Sequence, residues 1–343
     1  MIIKRQVKRF LSDCLYAVLL VFAMMSCCHG KDPSGIYQDK RQNVINVKDN
    51  IEPLNVFEIT ASAWGRATIK GNYILISDWK SPDKLIHIFD KNTFQYLRSI
   101  GNLGQGPGEI SNLGSITMDE DKNILYVIDR GGQRVFNYTM DSVMLDECYQ
   151  PYVKQHIGET LYPYDFEFVN DSLFIGVLVE RNSPTHADEV VGLWNVLNGN
   201  VVKVSQDINS LKIKRIAFDY SKEKDLLVVC NQRYDLMTLM DGDLQVKKRI
   251  YGPSWDGNYD GCQHFVDVVV YKDFIVASYD GTPYTDYNYP LICHVFDLEG
   301  NYIKTLDIGI PMTYLSVDED NDRLYFTFDD EMQFGYLDLK GLL

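Results

Sequence analysis

Six polar side chains recur along the chain, each closing an apolar run: Asp78, Asp129, Glu180, Asn231, Asp280 and Asp329. Gathered in space they could ring a divalent cation, because hard cations take several carboxylate and amide oxygens. A short acceptor at a strand end also ties nearby backbone N–H groups, and that capping role accounts for the whole series. Asp318, Asp320 and Asp322 have the first, third and fifth spacing of a calcium loop. Arg323 stands where that loop turns on glycine, and Asp119, Asp121 and Asn123 repeat the pattern, so turn chemistry is expected instead. Gly104, Gly106 and Gly108 could bring amides to a phosphate, yet Pro107 removes a donor and no Lys-Ser/Thr pair follows. A tight crossover between two units is the expectation there.

Covalent chemistry finds no support in the motifs. Cys148, Cys230, Cys262 and Cys293 lack C-x-x-C or Cys/His spacing, so no zinc site is expected. The chain has no G-x-S-x-G elbow, no H-E-x-x-H and no dinucleotide fingerprint. No cofactor and no catalytic set are assigned.

The elements that must position these residues follow from their spacing. The strand-end residues lie 51, 51, 51, 49 and 49 apart, a period that marks propellers, solenoids or arrays. Each run pairs with a preceding strand across a turn, as Ser115 to Met118 does with Ile124 onward, and further strands follow, rich in Val, Ile, Tyr and Phe. No stretch keeps a 3.6-residue apolar period. The reading is therefore all-β: a six-bladed β-propeller of four-stranded antiparallel blades over residues 51–343. The last unit stops at Leu343 without its fourth strand, so an N-terminal strand, Asn55 to Ile59, is expected to close the ring.

Counting back along each inner strand gives the expected lining of the channel mouth: Arg66, Ser115, Asp165, Arg215, His264 and Tyr314. Two arginines there would repel a cation and suit an anionic or polyhydroxylated ligand. Two irregular loops carry exposed aromatics, Trp255 and Tyr259 in one, Tyr284 and Tyr287 in the other, and both should emerge on one face as stacking groups. Self-packing of those loops is the competing expectation.

The run Leu125-Tyr-Val-Ile-Asp129-Arg-Gly-Gly-Gln-Arg134-Val-Phe136 resembles an NHL repeat. Ile100-Gly-Asn-Leu-Gly-Gln-Gly-Pro-Gly-Glu109 resembles the Gly-Pro-Gly-Glu loop of TolB-like six-bladed propeller lipoproteins of Bacteroidota. The resemblance implies the fold and an envelope location more than an activity.

The chain opens with Lys4, Arg5, Lys8 and Arg9, then an apolar run from Cys14 to Met25 that ends at Ser26-Cys27. Residues 1–26 read as a lipoprotein signal peptide, Cys27 as the lipidated residue and 27–50 as a tether, because a spanning helix needs about 20 apolar residues. The expected location is the bacterial envelope, as an outer-membrane lipoprotein touching the membrane through its lipid anchor alone. A net charge of −15 disfavours nucleic acid, whose phosphates require a basic surface. The expected role is a binding or interaction module for a glycan, a peptide or an envelope protein. The alternative is a lactonase-like, metal-dependent hydrolase using Asp165 and His264 at the channel mouth.

Overall fold

The computed structural model describes residue 32 and residues 35–158, 161–183, 186–207 and 211–343. The expected signal peptide, 1–26, and the expected lipidation site, Cys27, lie outside the described residues. Among those described, no helix is long and apolar enough to cross a membrane.

Residues 36–343 fold as six sheets in which the strands of each blade follow one another from the inside outwards. Blade one comprises Arg66–Lys70, Tyr73–Ser77, Lys84–Asp90 and Tyr96–Asn102. Blade two comprises Leu113–Asp119, Ile124–Asp129, Arg134–Thr139 and Tyr152–His156, with a short helix, Met140–Leu145, before its outer strand. Blade three runs through Leu161–Asn170, Leu173–Ser183, His186–Asn195 and Val201–Val204, and blade four through Ile216–Ser221, Leu226–Asn231, Leu236–Met240 and Val246–Tyr251. Blade five is built from Cys262–Tyr271, Phe274–Pro283, Ile292–Asp297 and Tyr302–Asp307. Blade six has Met312–Asp318, Arg323–Phe328 and Phe334–Asp338 from the end of the chain. The expected architecture is the observed one.

The last blade takes its outer strand from the N-terminal side, but the strand is Ile51–Pro53, not Asn55 to Ile59. Ile51, Glu52 and Pro53 pair with Leu337, Tyr336 and Gly335. Residues 55–59 form a turn instead, with Val56 and Ile59 packed into the seam between blades six and one. Nor do residues 35–50 run as a free tether. Gly35–Tyr37 adds a fifth strand to blade four, and Val44–Asn46 adds one, in parallel, to blade five.

The apolar core consists of seams between neighbouring blades, not one central mass. Leu75, Ile86, Leu125 and Phe136 fill the seam of blades one and two, and Tyr126, Ile128, Phe174 and Trp194 that of two and three. Ile175, Val191, Leu227 and Val229 join three and four, and Val228, Cys230, Ile275 and Phe296 join four and five. Val276, Leu306, Phe326 and Leu337 join five and six, and Ala67, Ile74, Phe89 and Tyr325 join six to one. The last seam closes the ring by packing a face of blade six against a face of blade one.

Inner strands present backbone N–H groups towards the axis, and buried donors must be satisfied. Side chains of neighbouring blades accept them. Thr117 Oγ1 takes the amide of Phe168 at 2.9 Å, Asp219 that of Val270 at 2.7 Å, Asp267 that of Leu315 at 2.8 Å and Ser316 that of Ile69 at 2.8 Å. Several carboxylates near the axis are therefore part of the ring's stitching.

Candidate functional site

Three of the sequence motifs resolve into local structure. Asp129 accepts from the amides of Ser111, Asn112 and Gly132 and from Arg134 Nε, and Asp78 accepts from the amide and hydroxyl of Ser62. These are strand-end caps. Asn231, by contrast, is buried with neither side-chain polar atom partnered among the described residues. In the Asp318 hairpin, Lys91 Nζ of blade one lies 3.1 Å from Asp318 and 2.6 Å from Asp320, so an ammonium already neutralises the turn. In the glycine-rich loop, Glu109 Oε2 accepts the amide of Gly106 at 2.8 Å and fills the space an anion would need. No group of three or more His, Cys, Asp or Glu side chains is placed to hold a metal among the described residues.

Two cavities lie along the axis of the ring. A cavity of about 680 Å³ enters from the face where inner strands begin, and one of about 770 Å³ enters from the opposite face. Both reach Arg66, Glu167, Phe218 and Asp267, which form the waist. Of the residues expected at the mouth, Arg66, Ser115, Asp165 and Tyr314 line the first cavity. Arg215 and His264 do not. Arg215 precedes the inner strand of blade four and donates to the Ala187 carbonyl at 3.1 Å, with its guanidinium 3.6 Å from Glu189, a lining residue of that cavity. His264 is 2% exposed and sits between Asp260, at 3.2 Å, and the Tyr279 hydroxyl, at 3.1 Å. The inner strand of blade five carries irregularities between Gln263 and Val268, which move the inward-facing positions to Val266 and Asp267. A fixed count along the strand cannot anticipate those bulges.

Arg66 governs the waist. Its guanidinium stacks on the Tyr314 ring at 4.5 Å, and its Nε is buried without a hydrogen-bond partner among the described residues. Burial works against its charge, but the pull of Asp267 and Asp165 outweighs that and lifts its pKa above the ordinary arginine value. Burial raises the carboxyl pKa of Asp165, and it pushes Asp267 up to about 6 although Arg66 and the amides of Leu315 and Val268 oppose the shift. Deeper in the channel, Glu167 takes hydrogen bonds from Lys70 Nζ at 2.7 Å and Thr117 Oγ1 at 2.8 Å. Burial, with the charge of Glu167, pushes Asp219 up to about 7.

Aromatic groups stand around the mouth, and of these Trp64, Trp79 and Tyr164 are not singled out by the repeat or by the irregular loops. Trp64 and Trp79 remain 57% and 43% exposed, with ring centroids 5.4 Å apart and planes tilted by 56°. Lys80 Nζ lies 4.1 Å over the Trp79 ring. Arg130 stacks on Tyr164 at 3.8 Å, and Tyr289 completes the lining. A signal was present: Trp64 lies two residues before Arg66, and Trp79 directly follows the strand-end Asp78. Loops at those positions must open beside the inner strand.

The two aromatic loops do meet, since Cys262 pairs with Pro283 and Tyr284 donates its amide to Gly261. Their aromatics divide into two groups. Trp255 and Tyr259 pack on the buried Tyr234 and Tyr251, which is the self-packed arrangement. Tyr284 lies under Arg233 at 3.2 Å, whereas Tyr287 is 80% exposed.

Known proteins share this architecture at low identity. A family model described as 6-bladed beta-propeller, DUF5128, matches residues 61–174, which span blades one and two and enter blade three. A solved structure of a member of the duf4221 family from Bacteroides vulgatus is 13% identical, with a TM-score of 0.55 over 84% of this chain and 94% of its own. A Bacteroides fragilis protein whose description proposes export is 12% identical, with a TM-score of 0.53 over 85% and 87%. The Cps50 (Swd1) β-propeller domain of Myceliophteria thermophila is 10% identical, with a TM-score of 0.53 over 84% and 99%. No curated protein matches the chain. With its blades closed through the Ile51–Pro53 strand, the chain is a six-bladed β-propeller.

Proposed function

We propose that the chain is an exported, lipid-anchored binding module of the bacterial envelope, which receives its ligand at the aromatic mouth of the axial channel. One observation carries this reading. Two solvent-facing tryptophans, Trp64 and Trp79, share an opening with a guanidinium, Arg66, whose Nε has no hydrogen-bond partner among the described residues. Exposed indole rings cost free energy in the unliganded protein, and a ligand that covers them recovers it. Pockets of several hundred Å³ with few convergent polar groups are the usual form of small-ligand sites.

Export is supported by the basic and apolar start of the chain, its Ser26-Cys27 junction and the description of the Bacteroides fragilis relative in fold. The Gly-Pro-Gly-Glu loop and the run Leu125 to Phe136 support grouping with TolB-like and NHL-like propeller lipoproteins. Glycan and peptide arrays probed with the native chain and a Trp64→Ala/Trp79→Ala variant test the site. Saturable binding by the native protein alone, with thermal unfolding unchanged between the two, is the expected result; equal signals would contradict it. For the anchor, Cys27→Ala should end incorporation of labelled palmitate and release the chain from the membrane fraction. A labelled, membrane-bound variant would remove that part of the reading.

A further inference from the structure

We infer that the ligand of this mouth is an uncharged carbohydrate chain, with sugar rings against Trp64 and Trp79 and hydroxyl groups reaching Arg66, Asp165 and Asp267. The inference rests on the mouth being the binding site and goes further by naming the class of ligand.

Charge excludes the alternatives. With Glu167 paired to Lys70 and Glu189 beside Arg215, the mouth and waist carry the guanidiniums of Arg66 and Arg130 against the carboxyl groups of Asp165, Asp267 and Asp329. A polyanion, whether sulfated, phosphorylated or uronic, would meet net like charge in a confined channel where repulsion is poorly screened. A cationic ligand fares no better. Glu189 already accepts the Ile216 amide at 2.8 Å, Glu167 already pairs with Lys70, and Asp267 is held by the amides of Val268 and Leu315. Arg66, uncompensated by any ion pair within 4.0 Å among the described residues, stands in the cation's path at the waist.

A neutral polyol meets both signs of charge at once. Each hydroxyl can donate to a carboxylate and accept from a guanidinium, and planar groups such as these engage neighbouring hydroxyls in pairs. Sugar rings present C–H faces that stack on indole, and the 5.4 Å separation of the Trp64 and Trp79 centroids gives two adjoining, inclined platforms. Such a tilt suits consecutive rings of a twisted chain better than one flat ligand.

The test is calorimetry and tryptophan fluorescence on the full chain in detergent. The neutral probes are cellohexaose, xylohexaose, maltohexaose and mannohexaose, set against hexagalacturonate and a hexapeptide pool. Saturable binding of at least one neutral probe is expected, weakened tenfold or more by Trp79→Ala and by Arg66→Met, with Trp64→Phe retaining most of it. Binding of hexagalacturonate or peptides in a Trp79-dependent manner, with every neutral probe silent, would overturn the carbohydrate inference and leave the binding site standing. Neutral binding indifferent to Trp79 and Arg66 would also overturn it. Silence from all six probes would count against both.

Discussion

Arg66 and the carboxyls about it set the behaviour of the channel at the scale of single residues. Asp219 and Asp267 have carboxyl pKa values raised to about 7 and about 6 from an ordinary 3.8, chiefly by burial, with Glu167 adding to the first and Arg66 and Lys70 opposing. The folded chain therefore holds protons that the unfolded chain has released between about pH 4 and pH 7. Through these groups stability rises as pH falls across that window and is lost as pH rises through it. Melting temperature measured from pH 8 to pH 5 should climb, and the Asp219→Asn/Asp267→Asn variant, which keeps an acceptor for Val270 and Leu315, should show a flatter profile. A variant profile as steep as the native one would assign the effect to other groups. A second residue-scale prediction concerns Arg41, whose Nη2 lies 3.1 Å from Asp235, with both side chains nearly or fully buried. Its guanidinium also lies over Phe265, Tyr279 and Phe296. Arg41→Met keeps the apolar stem but strands a buried carboxylate, a loss of about 3–5 kcal/mol. Chemical denaturation would read it as a lower midpoint.

Elements decide where those residues stand. Tyr279 links His264 to Asp235, which is why His264 belongs to a buried polar network between blades four and five and not to the channel. Arg41 reaches that network from the segment between the Gly35–Tyr37 and Val44–Asn46 strands, so the N-terminal segment buckles the ring as well as closing it. Three-residue strands of this kind show too little alternation to be read from sequence, since their pairing is fixed by an edge waiting elsewhere. The blade strands were legible because apolar runs and turns repeat together, and because strand-end acceptors such as Asp78 and Asp129 mark each repeat. The count back along the inner strands reaches the mouth at Arg66, on a regular strand, and at Asp165 and Tyr314, beside single irregularities; it misses at His264, where the strand of blade five carries two, and at Arg215, which precedes its strand. One strand contact has little freedom. A Cβ on Gly176 would lie 2.3 Å from the Asp165 carbonyl oxygen and 2.6 Å from Phe166 Cα, both backbone atoms of the inner strand of blade three. Gly176→Ala should cost about 1–3 kcal/mol by displacing that strand. Differential scanning calorimetry would show it, and an unchanged melting temperature would mean that the two strands can part without loss.

The whole molecule is a ring whose apolar seams are distributed evenly between blades, so its rigidity does not depend on what fills the channel. That leaves the axis free for polar groups and water, and the mouth free to carry aromatic residues that a single-core fold would bury. Its acidity, with a net charge of −15, is shared by the channel itself and turns away anionic partners at both scales. A ligand received at the mouth must cover the two tryptophans that stand there. Of the four tryptophans, Trp194 is buried and Trp255 is packed among tyrosines. A Trp255→Phe variant would therefore make exposed indole emission a report on Trp64 and Trp79. Titration of that variant with the tightest probe found by calorimetry should give a saturable blue shift and protection from acrylamide quenching, with the calorimetric midpoint. Full calorimetric binding with unchanged emission and quenching would contradict the account, because the ligand would then sit away from the mouth.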